Sequence, residues 1–185
     1  MILIEIGGLG FMSFTTLIAI ILGKKITLRE RLILQDAMNT FNIQGLVKMV
    51  KYVLVFTVSV QFFGALLLST QFIPEFGFGK GAFYSLFHSI SAFCNAGFDV
   101  LGKGNSLISF NTNVVVIMVL SILIIIGGLG FTVWSELYTC KSIRRVSIHS
   151  KMVLLITTGL VVGGTLLMFL FEHNNPQTIS KMSFI

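Results

Sequence analysis

Four long apolar runs, separated by shorter polar stretches, set the pattern of this chain. The runs contain no charged residue and extend over Ile6–Gly23, Tyr52–Ile73, Val114–Ser135 and Met152–Phe171. A helix needs about 20 residues to cross a hydrocarbon core roughly 30 Å thick, so the last three runs are long enough and the first is marginal. The pattern predicts an all-α protein with four membrane helices. The first begins so close to Met1 that we expect the chain to be cut inside it.

Composition agrees with a membrane protein. The 185 residues are 55% hydrophobic and 11% charged, with a mean hydropathy of +0.94. Ordinary soluble domains carry about 25% charged residues, so this chain lacks the polar residues needed for a soluble surface. The net charge of +6 lies mainly in two short stretches between apolar runs. We interpret it as a signal for orientation in the lipid bilayer rather than for nucleic-acid binding.

The loop charges predict the orientation of the helices. Residues 24–51 carry six basic and two acidic side chains, a net charge of +4, and residues 139–151 carry four basic and no acidic ones, also +4. The connection after the second run is neutral. Because basic loops stay in the cytoplasm, 24–51 and 139–151 are predicted to be cytoplasmic and 74–113 extracellular. The four helices then run inward, outward, inward and outward.

The first cytoplasmic loop contains a further helical pattern. Thr27 is placed to cap a helix, with Glu30 at the capping-box position, and apolar residues follow at helical spacing. We predict a short amphipathic helix over Leu28–Thr40 on the inner membrane face. A solvated linker that happens to be amphipathic remains the alternative.

The extracellular connection contains an apolar segment that is too short to cross the membrane. After turn residues at 74–80, the 13 residues Gly81–Phe93 predict a helix of roughly 20 Å. The flanking helices already use both crossings, so this helix must enter and leave on the same side, followed by an extended stretch, Cys94–Phe98, which we call the return segment. Non-helical backbone at membrane depth is tolerated only where it is buried in protein or lines a water-filled path.

Cation conduction would explain why a non-helical return segment is present at this depth. The short helix would point the negative end of its dipole into the membrane, and the following carbonyl oxygens could replace water around a cation. Gly97 permits backbone angles forbidden to other residues, and the side chain of Asn95 could brace the segment by hydrogen bonding. A hairpin packed against the protein with no ion is the alternative. His88, in the short helix, is predicted to be a packed, hydrogen-bonded side chain rather than a ligand.

A five-residue motif occurs twice, 120 residues apart. GGLGF stands at Gly7–Phe11 and again at Gly127–Phe131, each time in a predicted inward helix followed by a basic stretch. Small residues in membrane helices permit close packing, and this role is predicted for six glycines, Gly7, Gly8, Gly10, Gly127, Gly128 and Gly130. The repetition also suggests a duplicated unit of outward helix, re-entrant hairpin and inward helix.

These patterns divide the chain into successive segments. They are an inward helix at 1–23, a cytoplasmic linker at 24–51, a complete repeat unit at 52–138, a cytoplasmic loop at 139–151 and the first helix of a third unit at 152–172. Within the complete unit we predict an outward helix at 52–73, a pore helix at 81–93, a filter strand at 94–98 and an inward helix at 114–138. One hairpin cannot surround a pore, since potassium-channel filters use four loops, so we expect a fragment of a longer protein.

Four stretches in this order resemble the Trk/Ktr/HKT superfamily of cation transporters, and within it the Ktr-type and NtpJ-like potassium uptake subunits. They are IGGLGFMSF (Ile6–Phe14), LRERLILQDAMN (Leu28–Asn39), FHSISAFCNAGFD (Phe87–Asp99) and IIGGLGFTVWSEL (Ile125–Leu137). The resemblance covers essentially the whole chain. It implies four fused helix–hairpin–helix units around one pore, of which this chain would hold the end of the first, all of the second and the start of the third.

The resemblance also implies a site and partners. The filter glycine of the second unit would be Gly97, with the carbonyls of Cys94, Asn95 and Ala96 beside it and with Ser91 and Phe98 as support. K⁺ would be held by backbone carbonyls alone and would be the transported ion, with Na⁺ dependence left open and no other cofactor in this chain. The expected setting is the plasma membrane, in a homodimer of the intact subunit on a cytosolic ring of nucleotide-binding regulatory subunits.

Two other functions stay open at this point. A secondary transporter with a broken helix at its binding site is one, although such proteins usually have inverted repeats and the repeat here runs in one direction. A non-conducting membrane scaffold is the other. An enzyme is not predicted, because the sequence has no Ser/His/Asp or Cys/His constellation and its GGLG lies inside an apolar helix rather than between a strand and a helix.

Overall fold

The computed structural model of the chain describes residues 1–9, 46–101, 106–140 and 146–172. These residues are helical or irregular, with no β-strand among them. The helices are α1 (Ile2–Leu9), α2 (Leu46–Phe76), α3 (Phe78–Phe93), a 3₁₀ helix (Ser106–Phe110), α4 (Val114–Gly128), α5 (Phe131–Cys140) and α6 (Ile148–Glu172). The chain divides into two compact units, Met1–Ser135 and Glu136–Ile185, which we describe separately. The amphipathic helix predicted over Leu28–Thr40 lies outside the described residues.

Two helices are long and apolar enough to cross a membrane. They are the Tyr52–Phe76 part of α2 and the whole of Ile148–Glu172. The pair Val114–Gly128 and Phe131–Tyr138 would make a third span if it is counted as one, but it is bent by 92°. The described residues therefore contain three of the four predicted apolar spans, one of them broken.

The first unit is built around an antiparallel pair of helices, α2 and α3. A single residue, Gly77, joins them with a φ of 79°, a backbone angle that favours glycine. Gly81 near the start of α3 lies against the backbone of Ile73, and Ser89 near its end donates a hydrogen bond to the carbonyl of Gln61 at 2.7 Å. Later residues of α3 thus meet earlier residues of α2, as in a hairpin.

Contacts with α4 indicate how deep in the membrane α3 ends. Asn113, the N-cap of α4, is hydrogen-bonded to Gln71 near the end of α2 at 2.8 Å. Asn95, just after α3, lies against Ile124, ten residues into α4 and hence ~15 Å along its axis. That is about half the thickness of a hydrocarbon core.

After α3 the chain returns to the end at which that helix began. Phe110 of the 3₁₀ helix packs on Phe72 and Phe76 of α2, with ring centroids 4.9 and 6.2 Å apart. Tyr84 of α3 joins the same group through Phe76, at 5.1 Å. Packing of these rings, worth about 0.5–1.5 kcal/mol for each aromatic pair, holds the two ends of the hairpin together. The short helix and the return segment therefore form a re-entrant hairpin.

Several helix ends differ from the sequence prediction. The outward helix predicted at 52–73 is Leu46–Phe76, the pore helix predicted at 81–93 begins at Phe78, and the helix predicted at 152–172 begins at Ile148. Apolar runs mark the part of a helix that meets lipid, but backbone hydrogen bonding continues into the polar residues beyond it. Ser147 is the cap that the prediction missed, since its hydroxyl accepts from the N–H of Ser150 at 3.3 Å.

The inward helix predicted as one element at 114–138 is two helices. The first ends at Gly128, and Gly130 has a φ of 82°, which an α-helix cannot accommodate. The indole N–H of Trp134 donates to the carbonyl of Ile126 at 2.9 Å across the break. The ring of Trp134 packs on Phe56, with centroids 5.0 Å apart. Because the run stays apolar through the break, hydropathy alone could not reveal it.

Candidate functional site

The end of α3 is closed by a Schellman motif. The N–H of Asn95 donates to the carbonyl of Ala92 at 3.1 Å, and the N–H of Ala96 donates to that of Ser91 at 2.9 Å. Asn95 has a φ of 53°, and this left-handed conformation is what such a cap requires of the residue after the helix. Asparagine is one of the few residues other than glycine that adopt it at low cost. The motif satisfies carbonyls that a helix end would otherwise leave unpaired.

The return segment is tied back to α3 at its far end. The hydroxyl of Ser91 donates to the carbonyl of Phe98 at 2.8 Å. Gly97 has a φ of 69°, so the segment changes direction at a residue that needs no side chain. The structure thus brings together the predicted residues Ser91, Asn95, Gly97 and Phe98 in one loop of backbone.

Four successive carbonyls inside this loop have no partner in the part of the chain that the structure describes. They belong to Cys94, Asn95, Ala96 and Gly97, and none accepts a hydrogen bond from a described residue. Cys94 and Ala96 are half-buried and the other two residues are exposed, so these oxygens are open to water or to an ion. A run of four at membrane depth, between paired carbonyls on both sides, is an arrangement suited to coordinating a cation.

The loop rests on α4 through Asn95 and Gly127. The Asn95 amide donates to the carbonyl of Ile124 at 3.4 Å and to that of Phe93 at 3.5 Å, both long bonds. Gly127 lies directly on the carbonyl of Phe93, where a Cβ would overlap the oxygen. The expected bracing by Asn95 is therefore weak, and close packing by glycine contributes as well.

His88 is packed as predicted. It is 2% exposed, its Nδ1 lies 2.8 Å from the carbonyl of Tyr84, and its ring lies 5.5 Å from that of Phe72. Its Nε2 is buried and has no hydrogen-bond partner among the described residues. The described residues contain no group of three or more His, Cys, Asp or Glu side chains able to hold a metal ion.

Comparison with known sequences identifies the family. The sequence model of the TrkH family, described as cation transport protein, matches residues 1–170. The chain belongs to the TrkH family. This is a family of transport proteins rather than enzymes, as the sequence predicted, and it confirms the prediction of an all-α integral membrane protein.

Individual relatives cover the whole chain. The potassium/sodium uptake protein NtpJ of Enterococcus hirae is 47% identical over 184 residues, which are 100% of this chain and 40% of that protein. The Ktr system potassium uptake protein B of Bacillus subtilis is 40% identical over 99% of this chain and 41% of its own length. The Ktr system potassium uptake protein B of Vibrio alginolyticus is 36% identical over 99% of this chain and 40% of its own length. The chain thus spans about two fifths of the length of these TrkH-family relatives.

The repeated glycines of this TrkH-family chain do not share one role. Gly127 and Gly8 are packing positions, since a Cβ at Gly8 would overlap the side chain of Cys94. Gly128 is only in ordinary contact, with the Asn95 amide 3.9 Å from its Cβ position. No described atom lies within 4 Å of the Cβ position of Gly7 or Gly130, so the described residues show no packing partner for either, and Gly130 lies at the bend. Gly10 lies outside the described residues.

A contact among three polar residues was missed by the sequence analysis. Gln61 of α2, 5% exposed, donates from its amide to the carboxyl of Glu5 in α1 at 2.9 Å. The Cys94 thiol lies 3.8 Å from the same carboxyl oxygen. Glu5 and Gln61 are isolated polar residues within or beside apolar runs, and such residues in membrane helices usually have a specific partner. That was the available signal.

Proposed function

We propose that this chain supplies one hairpin of the selectivity filter of a K⁺ uptake protein, with the carbonyls of Cys94, Asn95, Ala96 and Gly97 as its share of the ion ligands. The observation that carries the proposal is the run of four carbonyls without a partner among the described residues, held between the cap of α3 and the Ser91–Phe98 hydrogen bond. The relatives' names, potassium uptake and potassium/sodium uptake, favour K⁺ as the ion.

The exposure of these carbonyls supports an ion at this position. Cys94 and Ala96 are half-buried and Asn95 and Gly97 are exposed among the described residues, so their backbone is open to water or to an ion. A permeating cation would exchange its hydration water for the carbonyl oxygens. The C-terminal end of α3, equivalent to about half a negative charge, would add attraction for a cation.

The rest of the assembly is inferred from the charge of the loops and from the resemblance to Ktr-type subunits. One hairpin provides only part of a ring of carbonyls, so three further hairpins in the intact protein would complete the filter. We place the protein in the plasma membrane, with 24–51 and 139–151 in the cytoplasm and 74–113 outside. We expect the intact subunit to form a homodimer that rests on a ring of cytosolic nucleotide-binding subunits.

The test replaces Gly97 by Ser in the intact protein, with Gly77→Ser as a matched control. Both glycines have a positive φ, 69° and 79°, and neither has a described atom within 4 Å of its Cβ position. Both substitutions therefore strain the backbone, by about 1–3 kcal/mol, but only Gly97 lies in the return segment. Rubidium uptake in cells that lack their own K⁺ uptake, measured in competition with K⁺ and Na⁺, reports selectivity.

We expect Gly97→Ser to reduce the preference for K⁺ over Na⁺ by about tenfold or more, the change that 1.4 kcal/mol at the ion ligands produces. Gly77→Ser should keep the wild-type preference, because its strain lies at the α2–α3 link. Equal preference in both variants and the wild type would count decisively against the filter role.

A further inference from the structure

A cavity of about 220 Å³ borders the return segment. Its walls are α3, the return segment, the 3₁₀ helix and α4. The polar side chains on these walls are His88, Ser91, Asn95 and Asp99, and the apolar side includes Leu107 and Leu120. The filter assignment makes no use of this space.

The imidazole of His88 supplies an unsatisfied acceptor beside the cavity. A backbone carbonyl only accepts hydrogen bonds, so the 2.8 Å contact with Tyr84 requires the proton on Nδ1 in the neutral ring. Nε2 then carries a lone pair, and this atom is buried without a partner among the described residues. An unpaired buried polar atom beside an apolar core is costly, and ordered water commonly removes such a cost.

We propose that the cavity is a site for ordered water that links Nε2 of His88 to the return segment. A water molecule there would donate one hydrogen to Nε2 and the other to an oxygen on the opposite wall, at Asn95 or Asp99. His88 is thereby a positioning residue for the filter, and this inference rests on the proposed function of the return segment.

The size and chemistry of the cavity suit this ligand. A water molecule occupies about 30 Å³ in the liquid and needs two to four polar partners, so the cavity has room for several. His88, Ser91, Asn95 and Asp99 can supply those partners. Asp99 is exposed, so water can reach the cavity from that end. It also lies close enough to His88 for an electrostatic interaction.

A set of three variants in the intact protein tests the role of His88. His88→Phe keeps an aromatic ring for packing against Phe72 but removes the acceptor. His88→Gln restores an amide that can bind water. Ser85→Ala is the matched control, since Ser85 is 1% exposed in the same helix and is not part of the cavity wall. Among the described residues its hydroxyl bonds only the Gly81 carbonyl of its own helix.

We expect His88→Phe to lower the K⁺ over Na⁺ preference of rubidium uptake by about tenfold, the effect of one lost hydrogen bond. His88→Gln should recover most of it, and Ser85→Ala should match the wild type. Three outcomes would each overturn the water site. They are a wild-type K⁺ over Na⁺ preference in His88→Phe, the same loss of preference in the Phe and Gln variants, and the same loss of preference in Ser85→Ala as in His88→Phe. Failure of the filter itself is recognised separately, as a Gly97→Ser variant that keeps its selectivity.

A measurement on the wild type covers the case in which the Phe variant fails to fold. Hydroxyl-radical labelling of the intact protein in membranes, carried out in ¹⁸O water, should label Leu107, which is half-buried at the cavity wall. Labelling of Leu107 no stronger than that of buried Leu68, which is 0% exposed, would show a dry cavity and refute the proposal.

Discussion

Gly127→Ala is the substitution for which the structure gives the sharpest expectation. The Cβ of alanine would overlap the carbonyl oxygen of Phe93 and lie 2.8 Å from the carbonyl carbon and 3.2 Å from the Cα of that residue. All three are backbone atoms, so no side chain can rotate away to make room. Carbon atoms in contact normally lie about 3.5–4.0 Å apart, and the overlap with the oxygen is larger still, so the end of α3 must move away from α4 by more than about 1 Å.

The cost of this movement can be estimated. Extra atoms in a well-packed interior destabilise by about 1–3 kcal/mol. The higher helix propensity of alanine offsets up to about 1 kcal/mol of that loss. We expect the free energy of unfolding of the intact protein to fall by about 1–2 kcal/mol. Phe93 directly precedes Cys94, so the displacement passes into the return segment, and K⁺ over Na⁺ preference should fall with it.

Gly128→Ala is the control for this experiment. It makes the same chemical change one residue later, where the nearest described atom would be the Asn95 amide nitrogen at 3.9 Å. Stability should stay constant or rise by up to about 1 kcal/mol. Thermal unfolding of both variants in detergent and rubidium uptake in cells give the comparison. Similar stability and selectivity in the two variants would refute the close approach of α4 to the filter.

Three further predictions concern other contacts. Gly81→Ala should destabilise the intact protein by about 1–3 kcal/mol in thermal unfolding, because its Cβ would meet backbone atoms of α2. Gly79→Ala has open space and should be neutral, and equal effects of the two substitutions would disprove this packing. Ser91→Ala removes the hydrogen bond to the Phe98 carbonyl, so it should lower the free energy of unfolding by about 1 kcal/mol and weaken K⁺ over Na⁺ preference in rubidium competition. An unaltered preference would show that this hydrogen bond does not hold the return segment. Gln61→Leu leaves the Glu5 carboxyl without its amide donor and should lower the melting temperature, while a wild-type melting temperature would show that the contact contributes nothing.

Hydropathy and charge located the helices of this chain but not their ends. The apolar run at Tyr52–Ile73 lies inside α2, yet α2 begins at Leu46 and continues through Pro74. Hydropathy reports where a helix meets lipid, whereas its ends depend on caps and on backbone angles. The bend at Gly130 has the same origin: one glycine with a positive φ breaks a helix without changing the polarity of the run.

Contacts between distant residues are what the sequence could not supply. Glu5 and Gln61 are 56 residues apart, and nothing in either local pattern indicates the other. The two GGLGF copies make the same point, since identical residues have different neighbours. The second glycine of the first copy lies on the Cys94 side chain, while the first glycine of the second copy lies on the Phe93 backbone. Motif identity predicts a helix with small residues, and the packing partner decides which glycine is required.

The cap of α3 determines which carbonyls are available to an ion. A helix end normally leaves its last four carbonyls without a partner inside the helix. In the structure the carbonyls of Ile90, Ser91 and Ala92 are already occupied by the N–H groups of Cys94, Ala96 and Asn95. The helix can then contribute only the electrostatic field of its dipole, and the carbonyls that can bind the cation directly begin at Cys94. The left-handed conformation of Asn95 is thus as important to the proposed filter as that of Gly97, because it closes the helix and separates its carbonyls from those of the return segment.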